Sequence, residues 1–197
     1  MNTNPATQCI KGWPEESREA AQLVIDKYGE PDEASDSQLL WHNRGKWKRI
    51  VASKAYFHHE FPVPHSDSVQ CVIDYRVPVE KFTPLAQFDG SVVVERTAGE
   101  VSARCHDEEA NNLALNLMHD IVTETRNVEQ ARGYYAQEFV DYRRKKSTPY
   151  MEDLRFTPAG RDAADPDTRV LSDQDLEKAR LEGESGSQAR GPGRDGS

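Results

Sequence analysis

The sequence predicts the α+β class: an antiparallel sheet of about five strands, with an N-terminal helix and two C-terminal helices packed on one face. Three patterns indicate this architecture. Apolar residues recur with a helical period through residues 107–123, and apolar and polar residues alternate strictly through residues 69–77. Glycine-containing turns at Gly45 and Gly99 each join two strand-like segments.

The first helix is predicted at the start of the domain. Pro14 fits the first turn of a helix, Glu15 favours its N-terminal end, and Gly29 suits the position after its last residue. The residues before it, 1–12, carry no strong pattern, and we expect them to be flexible. A single domain is therefore predicted to span residues 13–156.

A hairpin is predicted for residues 39–51, with a three-residue loop at residues 43–45 that ends in Gly45. This register places Trp41 opposite Trp47. A cross-strand tryptophan pair stabilises a hairpin by about 0.5–1 kcal/mol, which is a sufficient structural reason for both rings. The alternative is that the two rings form an aromatic platform for a ligand.

The helix end at Tyr28 to Pro31, followed by a tryptophan-bearing hairpin, resembles the small lipoproteins of the outer-membrane assembly machinery. That resemblance implies a binding module. It covers only the first helix and the first hairpin, and Cys9 is not preceded by the apolar leader that a lipobox requires.

Residues 55–67 are predicted to form an irregular segment that folds back over the domain, because Pro62 and Pro64 are unsuited to a central strand. The segment concentrates side chains that ligate Zn, Fe or Mn. The candidate ligands are His58, His59, His65 and Asp67. Since neighbours in an extended chain point to opposite sides, the two adjacent histidines are not expected to share an ion. Solvated or hydrogen-bonded histidines are the alternative.

Two further elements flank the predicted central helix. Residues 91–105 predict a second hairpin that turns at residues 97–99 and sets Arg96 opposite Glu100. A third helix is predicted to begin after a capping residue at Asn127.

The helix predicted at residues 107–123 has an unusual polar face. That face carries Asn112, Asn116, His119 and Asp120, and no Lys, Arg or Glu follows Glu109 within the helix. A solvated helix face normally carries long charged side chains. Two interpretations follow. The face forms a hydrogen-bonded seam with neighbouring segments, or Asn112, Asn116 and His119 line the rim of a pocket shared with the histidine-rich segment.

His119 followed by Asp120 resembles the dyad of the HD metal phosphohydrolases, which implies metal ligation by this pair. The HD fold is entirely helical, whereas strands are predicted in the middle of this chain. On a helix the two side chains also point about 100° apart.

The C-terminal segment differs in composition from the rest. Residues 157–197 are rich in charged and small residues and poor in aromatic ones, so they are predicted to be a disordered tail. Within it, residues 173–182 have the signals of a short helix. An isolated helix of that length is unstable in water, so we expect it to fold against a protein partner.

Composition disfavours several classes of function. The net charge of −9 argues against nucleic-acid binding. No apolar run is long enough for a bilayer and no secretory signal is recognisable, so a cytoplasmic protein without membrane contact is expected. Phosphate-binding loops, GxSxG, HExxH and EF-hand motifs are absent from the sequence.

The leading functional hypothesis is a non-catalytic binding or adaptor domain without a cofactor. Its site is expected in the crevice between the histidine-rich segment and the polar face of the central helix. The alternative hypothesis is a metal-dependent enzyme, a hydrolase, with His58 or His59, His65 and Asp67 as ligands of Zn, Fe or Mn. His119 serves as the acid or base in that alternative.

Overall fold

A computed structural model describes residues 5–189 and confirms the α+β class. The antiparallel sheet has six strands in the order β1-β2-β3-β4-β6-β5, one more than predicted. The strands are β1 (Glu33–Ala34), β2 (Gln38–Arg44), β3 (Trp47–His59), β4 (His65–Asp74), β5 (Val92–Glu95) and β6 (Glu100–Cys105). The helices are α1 (Ala6–Cys9), α2 (Glu15–Tyr28), α3 (Phe82–Phe88), α4 (Glu108–Val122), α5 (Val128–Arg143), α6 (Pro149–Glu152) and α7 (Asp173–Ala189). None of the helices in this range is both long and apolar enough to cross a bilayer.

One face of the sheet is buried beneath helices. A row of directly paired residues crosses five strands on that face, and all of them are buried: Trp41, Ile50, Cys71, Ala103 and Val92. Helices α2 and α4 pack on the sheet, whereas α5 lies mainly against α3 and α4. Alternating apolar residues therefore build the core as the sequence predicts. Helix α5 lies one layer further from the sheet than α4.

The first hairpin turns later than predicted. Gly45 and Lys46 form a two-residue turn, so Arg44 lies opposite Trp47, and Trp41 lies opposite Ile50. The predicted tryptophan pair is therefore wrong. Each buried ring is held by its own N–H: Trp41 donates to the Gly29 carbonyl at 2.9 Å, and Trp47 donates to the Glu108 carboxylate at 3.0 Å. Both indoles are core residues and are not open to a ligand.

The second hairpin also has a different register. Glu95, not Arg96, lies opposite Glu100, across a four-residue loop. A segment remote in sequence packs against this turn. Gly99 has φ +66°, and the backbone carbonyl carbon of Ala163 lies 2.2 Å from where a Cβ of residue 99 would stand. Only glycine allows this approach, so the residue at the turn is constrained by a distant segment.

The prediction of an irregular histidine-rich segment is wrong. β3 continues to His59 and β4 begins at His65, so the two strands form a hairpin whose connection contains a cis Phe61–Pro62 bond. The prolines lie in the connection, where no ladder hydrogen bond is required of them. The strands thus reach the histidines and fix the direction of each ring.

The N-terminal segment packs against the domain. Ala6 and Ile10 are buried, and the Ala6 N–H donates to the Glu30 carboxylate at 2.8 Å. The predicted flexibility of residues 1–12 therefore does not describe residues 5–12, which form α1 and a 3₁₀ turn. Residues 1–4 lie outside the described range.

The chain divides into two compact units at Asp165. The first unit extends past the predicted boundary at residue 156, since the Ala159 N–H donates to the Asp74 carbonyl at 2.9 Å and Ala163 is buried. The second unit contains α7, which includes the helix predicted at residues 173–182. Residues 190–197 lie outside the described range. The expected protein partner of this segment stays a prediction.

Candidate metal centre

Three of the predicted metal ligands come together where the β3–β4 hairpin meets its connection. His59 lies directly opposite His65, and Asp67 follows two residues later on the same face of β4. One donor atom from each side chain lies within 4.8 Å of the others. Within residues 5–189, no other group of three or more His, Cys, Asp or Glu side chains meets this distance.

The spacing of the donor atoms suits a shared ion. His65 Nε2 lies 2.9 Å from Asp67 Oδ1, and His59 Nδ1 lies 3.3 Å from Asp67 Oδ2. Ligands held about 2.1 Å from a tetrahedral Zn²⁺ stand about 3.4 Å apart. The two measured separations, each to a different Asp67 oxygen, are close to that spacing.

The carboxylate at the centre is deeply buried. Asp67 is 1% exposed, and its Oδ2 accepts a hydrogen bond from the Ser91 hydroxyl. Its Oδ1 has one close partner among the described residues, the imidazole of His65, whose Nε2 lies 2.9 Å away. A buried carboxylate oxygen in this state is stabilised by a cation.

A second buried carboxylate lies beside the first. Asp89 is 4% exposed, and its Oδ1 accepts from the Ser91 N–H at 2.8 Å and lies 3.7 Å from His59 Nε2. Burial raises the pKa of Asp89. Among the described residues, no Lys or Arg forms an ion pair with Asp67 or Asp89, so their cationic partners are histidines alone.

His65 is oriented in the manner of a metal ligand. Its Nδ1 lies 2.8 Å from the Val63 carbonyl and donates to it, so Nε2 is the nitrogen that faces Asp67. Contact with the Asp67 carboxylate raises the pKa of His65 against the opposing effect of burial. In the metal-free protein a proton occupies the position that an ion would take.

Cys105 lies at the edge of the cluster. Its Sγ is 3.4 Å from His65 Nε2, and burial raises the pKa of the thiol well above its usual range. The thiol therefore stays protonated unless a metal ion displaces the proton. It is a potential fourth ligand.

His58 does not join the cluster. Its exposed ring packs edge-on against Tyr56, with 5.5 Å between the ring centroids, and its backbone pairs with Ser66. The alternation of β3 separates it from His59, as the sequence predicts for adjacent residues. No sequence pattern marks Asp89, Ser91 or Cys105 as site residues, because they arrive from other elements and share no spacing with the histidines.

The polar face of α4 is covered by the segment that follows α5. Asn112 donates to the Met151 carbonyl at 2.9 Å. Asn116 donates to the carbonyls of Tyr150 and Asp153 at 2.9 and 2.8 Å, and accepts from the Arg155 N–H at 2.7 Å. These contacts form the hydrogen-bonded seam of the first interpretation. The asparagines hold the chain around α6 against α4 and are not on the rim of a cavity with the histidine-rich hairpin.

The remaining residues of that face also have structural partners. Asp120 forms an ion pair with Arg126. The His119 ring stacks on Phe156 at 4.3 Å between centroids, and its Nδ1 lies 2.7 Å from the Tyr75 hydroxyl. Burial lowers the pKa of His119 and raises that of Tyr75 to about 12, so the phenol donates to the neutral imidazole.

His119 is also far from the cluster. Its partner Tyr75 follows the end of β4, whereas His65 begins that strand, and the length of the strand places the two about 30 Å apart. The hypothesis that His119 acts as acid or base at this metal centre is therefore wrong. His119 and Asp120, the HD-like pair, likewise contact different side chains and do not act together.

A cavity of about 180 Å³ adjoins the cluster. His65 and Cys105 form part of its wall, and the connection of the β3–β4 hairpin, the first turn of α4 and one side of α5 enclose the rest. This cavity is not the crevice expected from the sequence, because none of Asn112, Asn116, His119 and Asp120 lines it.

Comparisons with known proteins give no relative. No protein-family model matches the chain, and no curated protein or solved structure shows significant similarity to it. Neither resemblance suggested by the sequence gains support. The functional proposal therefore depends on the geometry of the site.

Proposed function

We propose that this chain is a small binding domain whose ligand is a divalent transition-metal ion, held by His59, His65 and Asp67. The observation that carries this proposal is that donor atoms of His59, His65 and Asp67 lie within 4.8 Å of one another, around a buried carboxylate that no Lys or Arg contacts among the described residues. A purely structural carboxylate at this depth is normally paired with Lys or Arg, or fully hydrogen-bonded.

The ligand set favours particular metals. Two imidazoles and one carboxylate suit Zn²⁺, Fe²⁺ or Mn²⁺ better than Ca²⁺ or Mg²⁺, which prefer oxygen ligands alone. The protein supplies three ligands and holds Cys105 3.4 Å from one of them. Deprotonation of that thiol would complete a tetrahedral Zn²⁺ site, and otherwise one position stays open.

The surroundings support the same conclusion. The Val63 carbonyl orients His65, and the Ser91 hydroxyl orients Asp67. Such outer contacts hold ligands in place before the ion arrives and raise affinity. We place the domain in the cytoplasm as part of this proposal, because all three cysteines are unpaired.

The test is metal content followed by measured affinity. Protein purified without chelator and without a histidine tag should contain about one Zn, Fe or Mn per chain. Calorimetric titration of Zn²⁺ into stripped protein should show one site. His59→Ala, His65→Ala and Asp67→Asn should each weaken binding by at least about 100-fold, since even outer contacts are worth about 10- to 100-fold.

His58→Ala is the matched control. It removes an imidazole one residue away whose ring lies outside the cluster, and it should leave the affinity unchanged. Metal-free protein that binds no Zn²⁺ would refute the proposal. Equal losses from His58→Ala and His59→Ala would do so as well, because they would indicate non-specific binding.

Metal-dependent hydrolysis is a second candidate. The observation that favours it is the cavity whose wall contains His65, since an open position on the ion next to a cavity admits both water and substrate. Zn-loaded protein should then hydrolyse an activated ester, and Asp67→Asn should abolish the rate. Metal binding without any turnover would refute hydrolysis and leave metal binding as the only proposed function.

A further inference from the structure

The cavity beside the candidate metal centre has the size and lining of a small-molecule site. Its volume is about 180 Å³. An apolar cavity of about 150 Å³ accommodates benzene, so one aromatic ring with a short substituent fits. Tyr135, Phe139, Met151 and Pro62 contribute the apolar wall.

The polar residues that line the cavity lie in separate places. At one side are His65 and Cys105, which belong to the metal cluster or touch it. Arg143, the last residue of α5, is exposed and also lines the cavity, with its guanidinium 5.0 Å from the Phe139 ring centroid. Asp107 is engaged as the N-cap of α4, where it accepts from the Ala110 N–H at 2.8 Å. An exposed cation therefore stands beside an apolar cavity that reaches a metal ligand.

We propose that this cavity binds a small aromatic carboxylate, with the ring in the apolar wall and a carboxylate oxygen on the open position of the metal. This inference rests on the proposed metal-binding function and adds the class of the second ligand. The ring is held by burial of apolar surface, the oxygen by the ion, and Arg143 attracts the anion from solvent. The cavity is too small for a peptide or a nucleotide.

The test uses the full chain loaded with Co²⁺, whose visible absorption reports its coordination. Benzoate should change the spectrum saturably. Acetate carries the same carboxylate without the ring, and it should need at least about tenfold higher concentration, because it buries far less apolar area. Equal potency of the two anions would overturn the proposal, since the carboxylate would then be binding the ion from solvent.

A substitution in the cavity separates this site from the metal. Ala110→Phe fills the cavity without altering a ligand, so the Co²⁺ spectrum should be unchanged and the response to benzoate lost. Ala136→Phe is the control, because Ala136 is exposed on α5 and does not line the cavity. If Ala110→Phe impairs folding, Ala110→Leu and Arg143→Met provide milder changes, each expected to weaken benzoate several-fold.

The outcomes distinguish the two proposals. Failure of Co²⁺ to bind would refute the metal site and this inference with it. Normal Co²⁺ binding with a benzoate response that Ala110→Phe and Arg143→Met leave intact would refute only the cavity.

Discussion

Two polar regions of this domain look similar in sequence and differ in how their atoms are satisfied. On α4, the side-chain amides of Asn112 and Asn116 meet backbone carbonyls of the segment around α6. At the end of the β3–β4 hairpin, donor atoms of His59, His65 and Asp67 face one another, and no Lys or Arg among the described residues pairs with the buried carboxylate.

The difference concerns charge as well as geometry. Asn112 has an unpaired carbonyl oxygen, but that group is neutral. An unpaired neutral amide oxygen costs about 1–3 kcal/mol, and an unpaired buried carboxylate costs more. Polar side chains that saturate backbone groups hold segments together, whereas a buried carboxylate that faces two imidazoles is the basis of the proposed metal site.

The largest expected effect on stability is at the seam. Asn116→Leu removes three hydrogen bonds and leaves two carbonyls and one N–H without their partner. The free energy of unfolding in urea should fall by about 3 kcal/mol, while Zn²⁺ affinity stays unchanged. Gln137→Leu, the same type of change on the exposed side of α5, should alter stability by less than about 0.5 kcal/mol. Loss of Zn²⁺ binding without loss of stability would reverse the assignment of the two regions.

The metal region should instead stabilise the protein only when an ion is present. Zn²⁺ at about 100 times its dissociation constant should raise the free energy of unfolding by about 2.7 kcal/mol. In Asp67→Asn this increment should disappear, and the metal-free variant should lose less stability than Asn116→Leu, because the lost contact with His65 is partly offset by removal of a buried charge. A metal-free variant as unstable as Asn116→Leu would show that Asp67 is structural.

A smaller effect is expected from the hydroxyl that orients the carboxylate. Ser91→Ala removes the hydrogen bond to Asp67 Oδ2 and should weaken Zn²⁺ binding about tenfold by calorimetry. Ser68→Ala is the matched control. Ser68 is also buried, but its hydroxyl has no partner. If both variants bind Zn²⁺ equally well, Ser91 does not position the ligand.

The smallest effect is a pH dependence at the far end of α4. Burial lowers the pKa of His119 below its ordinary 6.5, so the unfolded chain binds a proton more readily than the folded one. The stability contributed by neutral His119 is present above pH 6.5 and is lost as pH falls through its folded pKa. His119→Gln should therefore lose less stability than the parent between pH 7 and pH 5 in urea denaturation. An unchanged pH profile would place His119 in a solvated environment.

The sequence by itself determined the elements that depend on local periodicity and capping. The helical period of α4, the alternation of β4 and the capping box at Asn127 and Gln130 all appear in the structure. These patterns depend on residues within a few positions of each other, where backbone geometry and burial act together.

Only the tertiary structure decided the hairpin registers and the composition of the site. Ala163 packs closely against the second turn at Gly99, and separate partners for Trp41 and Trp47 replaced the expected pair. Ser91 reaches Asp67 from the turn after α3 across 24 positions of sequence, with no local pattern to announce it. Contacts between distant segments depend on how whole elements pack, and single-sequence periodicity carries no information about that packing.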